Sequence, residues 1–192
     1  MPIALAVRLI FWLWFAAAVA FGYERTFLRL PPLAVPAIVF GLTGLMLGGY
    51  FRFAALRAWV DAIDLRALVL LHVTRFVGVY FLLLYHRGEL PHDFAVPGGV
   101  GDIVVATLAL PVALVPFDDA RRQRFTVIWN VIGLVDILLV AFTAARLNLA
   151  DPWQMRALTQ LPLSLLPTFL VPVIIATHVV MLVRLARTQR PA

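Results

Sequence analysis

Five residues able to do chemistry fall inside long apolar runs: His72, Arg75, Asn130, Asp136 and His178. An ionisable or amide side chain is expensive in such a run, so each is a candidate for a site. His72 and Arg75 stand one helical turn apart on one face. Asp136 has the charge to neutralise Arg75. Two imidazoles on separate segments suit a proton or substrate pathway, a bis-imidazole haem, or a metal site completed by Asp136. A quinone or pigment is a further occupant of the same place. The structural alternative is that Arg75 and Asp136 pair to lock two helices while the histidines hydrogen-bond within the packing. Residue types alone leave the cofactor and the metal open.

Depth brings these residues together. At about 1.5 Å per residue, Arg75 lies roughly 13 Å below the start of its segment and His72 roughly 9 Å. Asp136 comes out at roughly 13 Å, and His178 at roughly 10 Å from the end of the last segment. Three helices therefore place these groups near one level. Pro167 and Pro172 interrupt the backbone ladder of the last segment and are candidates for a gate.

Residues 86–102 are rich in Pro and Gly, which reads as an outer loop folded back as a lid or re-entrant segment. Gly98, Gly99 and Gly101 supply its flexibility, and Asp102 opens the following helix, where a carboxylate suits the positive helix end. His86, Glu89, His92 and Asp93 could take a divalent ion, but their spacing matches no specific motif. A phosphate-binding loop, a dinucleotide fingerprint, a His-Glu-x-x-His pair and a nucleophile elbow are all missing from the sequence. Ser164 is the single serine and has no base near it in sequence, so enzyme activity is the least supported class.

Composition supplies the setting. Of 192 residues, 63% are hydrophobic and 14% charged, too few charges to clothe a water-soluble core. Mean hydropathy is +0.96. Six apolar segments, roughly 3–22, 31–51, 67–85, 102–117, 127–145 and 162–185, are each about long enough to span a bilayer as a helix. Residues 53–64 form an amphipathic stretch suited to the interface. All 16 basic residues are arginine, and the net charge is +6. They concentrate between spans, where membrane orientation explains them, so nucleic acid is not an expected partner. Ten arginines, among them Arg190, fall on one side and five on the other, with Arg75 inside a span. Both termini are thereby expected in the cytoplasm. The absence of cysteine excludes disulfides, thiolate metal sites and thiol nucleophiles.

Arg75-x-x-Gly78 and Gly88-x-Leu-Pro-x-x-Phe-Ala-x-Pro-x-Gly-x-Gly-Asp102 carry a resemblance, together with Trp129-Asn-x-x-Gly-x-x-Asp136 and Pro167-x-Phe-x-Val-Pro172 followed by His178. Over roughly residues 66–185 the chain resembles a group of uncharacterised bacterial multi-span membrane proteins. The resemblance implies that these polar positions belong to one recurring arrangement, and it brings no activity with it.

The resulting expectation is an all-α, polytopic bundle of about six spans, a single transmembrane domain over residues 1–192 in the bacterial inner membrane. The bilayer is its partner. The favoured function is a small permease- or channel-like protein for a small molecule or ion, with its pathway between spans three, five and six. The alternatives are a redox or accessory subunit, or a structural subunit of a larger membrane complex.

Overall fold

The computed structural model describes residues 3–188; Arg190 lies outside the described residues. Among them the secondary structure is helical, without strands. The α-helices are α1 (Ile3–Tyr23), α2 (Ala34–Arg52), α3 (Ala54–Asp61), α4 (Leu65–Leu71), α5 (Gly78–His86), α6 (His92–Leu114), α7 (Asp119–Ala150) and α8 (Val171–Thr188). A 3-10 turn, His72–Val77, joins α4 to α5, and a π-turn, Leu166–Leu170, precedes α8. Six helical stretches are long and apolar enough to cross a membrane: Ile3–Tyr23, Ala34–Arg52, Leu65–His86, His92–Leu114, Asp119–Ala150 and Leu166–Arg187. Their outward faces are apolar, with Trp12 and Leu13 each 69% exposed, as lipid-facing positions require.

Local chemistry sets the boundaries. Asp64 caps α4 by accepting from the Arg66 N–H at 2.9 Å, and Asp118 does the same for Arg121 at the start of α7. α5 ends where Gly88, at φ 72°, takes the left-handed conformation. The Glu89 and Gly88 N–H groups then fold back onto the Leu84 and Tyr85 carbonyls. The amphipathic stretch is α3, tied to α2 by the Tyr50 hydroxyl donating to Asp61 at 2.8 Å.

The main departure from the sequence reading is at residues 92–101. The expected lid is the first part of α6, a continuous helix from His92 that carries Pro97, Gly98, Gly99, Gly101 and Asp102 in its interior. Glycine and proline break helices readily in water, but in hydrocarbon an open loop leaves backbone groups unsatisfied and the helix prevails. Asp102 therefore opens no helix and caps nothing; it lies ten residues into α6 and is 3% exposed.

The chain forms two compact units. The first holds residues 1–62 and 144–173, and the second 63–143 and 174–192. In the first, Phe169 is ringed by Phe11, Trp14 and Phe15 at 4.8–5.2 Å between centroids. Trp14 Nε1 donates to the Thr168 carbonyl at 2.8 Å. Asn148 Nδ2 donates to the Pro32 carbonyl, also at 2.8 Å.

In the second unit, α6 packs along α4, the 3-10 turn and α5. Glycine permits the closest approach. A Cβ on Gly99 would stand 2.8 Å from the Gly78 carbonyl oxygen, and one on Gly78 would stand 2.9 Å from the Asp102 Cβ. Gly98 has ordinary clearance, 3.4 Å from Val140, and is not required in the same way. Leu68, Val69, Val105, Ala109, Ala113, Trp129 and Met181 form the apolar core of this unit.

Candidate functional site

The second unit gathers the polar residues of four helical stretches. The 3-10 turn is the first device that positions them. Tightening to three residues per turn eclipses side chains at i and i+3, so His72 and Arg75 lie one above the other. Both are buried, at 0% and 1% exposure.

Arg75 is held on three sides. Its Nε donates to Asp102 Oδ1 at 2.6 Å, its Nη1 to the Gly133 carbonyl at 3.0 Å, and its Nη2 to Asp136 Oδ2. Asp102 is enclosed, with its side chain 4% exposed, whereas the Asp136 side chain is 22% exposed and reaches the edge of the unit. Gly101 makes the second contact possible, because a Cβ there would collide with the Asp136 carboxylate. One guanidinium thus faces two carboxylates, leaving one negative charge to be balanced when both are ionised.

The histidines form a second layer against the first. Their ring centroids are 4.1 Å apart, with the planes tilted by 46°. Trp129 packs on both, edge-on to His72 at 5.1 Å and tilted to His178 at 5.5 Å, while its Nε1 donates to the Val105 carbonyl. Gly133 makes room here as well. A Cβ on it would lie 2.7 Å from His178 Cε1 and 3.1 Å from Val105.

The hydrogen bonds define the ring tautomers. Asn130 Nδ2 donates to the His178 carbonyl at 3.0 Å, which orients the amide and leaves Oδ1 as the acceptor 2.6 Å from His178 Nδ1. His178 Nδ1 therefore carries the proton, and Nε2 presents a lone pair. The Thr177 hydroxyl sits 2.9 Å from the Ile174 carbonyl and 3.3 Å from His72 Nε2. Where the hydroxyl gives its hydrogen to the backbone carbonyl, its oxygen accepts from His72 Nε2–H and Nδ1 is the lone-pair nitrogen. Neither His72 Nδ1 nor His178 Nε2 has a hydrogen-bond partner.

All five residues singled out in apolar runs therefore lie in this unit, with Asp102 added. Asp102 escaped the sequence reading as a partner because its segment read as a loop. Starting the helix at His92 would have placed it roughly 15 Å into its span, near the middle of a ~30 Å hydrocarbon layer and level with Arg75. Gly98, Gly99, Gly101 and Asp102 form no lid. Pro167 and Pro172 lie in the first unit; Pro167 occupies the π-turn and Pro172 the first turn of α8, where a missing N–H is tolerated.

This arrangement does not fit a bis-imidazole haem, since the two rings touch and leave no gap for a macrocycle. Among the described residues no three His, Asp or Glu side chains converge on a metal position, and His92 meets Asp93 at 3.4 Å on the surface.

Apolar helices of spanning length around a buried centre of arginine, carboxylates and imidazoles define a multi-pass membrane protein with a polar interior. The chain belongs to the family described as Domain of unknown function (DUF8737), which matches residues 31–186 and so includes every residue of this centre. No curated protein and no solved structure matches the chain.

Proposed function

We propose that the protein is a small permease- or channel-like conductor of a cation or proton, with its pathway through the polar centre of the second unit. The observation that carries this reading is the arrangement around Arg75. A purely structural ion pair needs one carboxylate, and the added desolvation of a second charge opposes stability. Here Arg75 holds both Asp102 and Asp136. The surplus carboxylate calls for a mobile positive charge, and a partly exposed Asp136 is the place for it to enter. Span four, through Asp102, joins spans three, five and six in lining this pathway. In this reading both termini face the cytoplasm, so reporter fusions at residues 90 and 120 land outside and inside respectively.

The test is cation and proton flux into proteoliposomes under an imposed gradient. The wild-type protein is expected to carry flux, and Asp136→Asn to abolish it while the protein stays folded. Equal flux in the wild type, Asp136→Asn and empty vesicles would overturn the reading.

A further inference from the structure

The donor and acceptor atoms of the histidine layer specify what it can bind. Each side-chain nitrogen that could donate already has an acceptor: Trp129 Nε1 has the Val105 carbonyl and Asn130 Nδ2 the His178 carbonyl. The three guanidinium nitrogens of Arg75 have Asp102, Gly133 and Asp136. The atoms left bare are two acceptors, His72 Nδ1 and His178 Nε2, on side chains that are 0% exposed. A buried acceptor without a donor is costly, and here two occur on touching rings. The second-layer bonds from Asn130 and Thr177 hold both lone pairs in place rather than consuming them. Arg75, the charged group beside both rings, holds Asp102 and Asp136, and that cluster carries one negative charge in surplus when both carboxylates are ionised. Two bare lone pairs refuse an acceptor-rich solute.

We propose that the His72–His178 pair is a recognition site for a small monovalent cation that donates N–H hydrogen bonds, namely ammonium or a small primary alkylammonium. This rests on the conduction reading for the entry of a cation, and goes beyond it by naming the chemistry recognised. The ligand donates to His72 Nδ1 and His178 Nε2, and its charge balances the surplus carboxylate. Potassium and sodium have the charge but no N–H to give, so the lone pairs discriminate against them.

The experiment is nitrogen-15 NMR of the full chain in detergent with ring-labelled histidine, titrated with ammonium, methylammonium, potassium and tetramethylammonium chlorides. The signals of His72 and His178 are assigned by single His→Phe variants. Ammonium and methylammonium are expected to shift the unprotonated-nitrogen resonances of both residues saturably, while potassium and tetramethylammonium leave them in place. Losing one lone pair should weaken methylammonium binding about ten- to hundredfold, the worth of one charge-assisted hydrogen bond. Resonances that ignore ammonium, as they would if the lone pairs only held water, overturn the proposal, and so does an equal response to potassium. Because the wild-type titration alone decides this, a variant that fails to fold does not blunt it. Binding without flux would sink the conduction reading and leave the site standing; flux without binding would do the reverse.

Discussion

The two units of the chain treat buried polarity in opposite ways. In the first, the buried polar residues are Thr43, Asn148, Thr159, Ser164 and Thr168, all neutral. Four of them give their hydrogen to a nearby backbone carbonyl at 2.7–2.8 Å. Such bonds satisfy a side chain without requiring a partner of matching charge, and they suit packing between apolar helices. In the second unit, Arg75, Asp102, His72 and His178 are buried with Thr126 and Asn130, and bonds between side chains of separate helices join those to backbone carbonyls. Charge in an apolar interior is costly unless compensated, so a fold that buries it in one unit and not in the other has concentrated its polar cost in one place.

The comparison is broken most severely at Arg75. Arg75→Met leaves Asp102 and Asp136 facing each other without a counter-charge. The expected cost is about 3–5 kcal/mol, read as a fall in unfolding midpoint in detergent. Adding Asp102→Asn and Asp136→Asn to the same chain should restore most of that loss, because the stranded charges go with the arginine. If the single variant is as stable as the wild type, the three groups are not coupled and the second unit is no different from the first.

How much of this was legible beforehand depends on which physical quantity a position reports. Depth is nearly arithmetic in a helix of fixed rise, so Arg75 and Asp136 could be set at one level from their distance to the ends of their apolar runs, and the two are paired. Helix rotation is not contained in hydropathy. The contact of the two imidazoles and the Trp129 wedge therefore had no signal beyond shared depth. The glycines were misread for a different reason. In water, Pro97-Gly98-Gly99 argues for a loop, but the competing state in a bilayer is a helix packed against α5, and Gly78 opposite Gly99 was the available hint that two helices meet there. Asp102 was lost with them, since a residue assigned to a helix end is not sought as the partner of a mid-membrane arginine.

A smaller effect separates glycines that make room for the site from glycines that face open space. Gly133→Ala puts a methyl group 2.7 Å from the His178 ring, on which Trp129 packs, and 3.1 Å from Val105. Overpacking of this kind costs about 1–3 kcal/mol. It should also shift the histidine resonances, which separates a displaced ring from a merely weaker helix. Gly44→Ala in α2 has nothing within 4 Å of the new Cβ. There the helix propensity of alanine should leave stability unchanged or raise it by up to about 1 kcal/mol. Equal losses at the two positions would remove the steric argument for the site's glycines.

Ser164 gives the smallest expected change and tests the comparison from the other side. It is 0% exposed, its Oγ has no hydrogen-bond partner, and a Cβ on the neighbouring Gly22 would collide with it. Among the described residues it is the one buried polar side chain of the first unit that makes no hydrogen bond, so it could be counted with the bare histidine nitrogens. The difference lies in its surroundings. The histidine lone pairs are oriented by Asn130 and Thr177 and sit beside a surplus charge, whereas Ser164 shares its pocket with Gly22 and Leu161, which offer nothing to orient a ligand. A hydroxyl held there is a packing residue with an unmade bond. Ser164→Ala removes that hydroxyl and leaves only a small void, so stability should hold or rise by about 1 kcal/mol, while flux and ammonium binding stay at wild-type levels. A loss of flux or binding in a folded Ser164→Ala protein would give the first unit a functional polar site of its own, and the contrast between the units would then be one of degree.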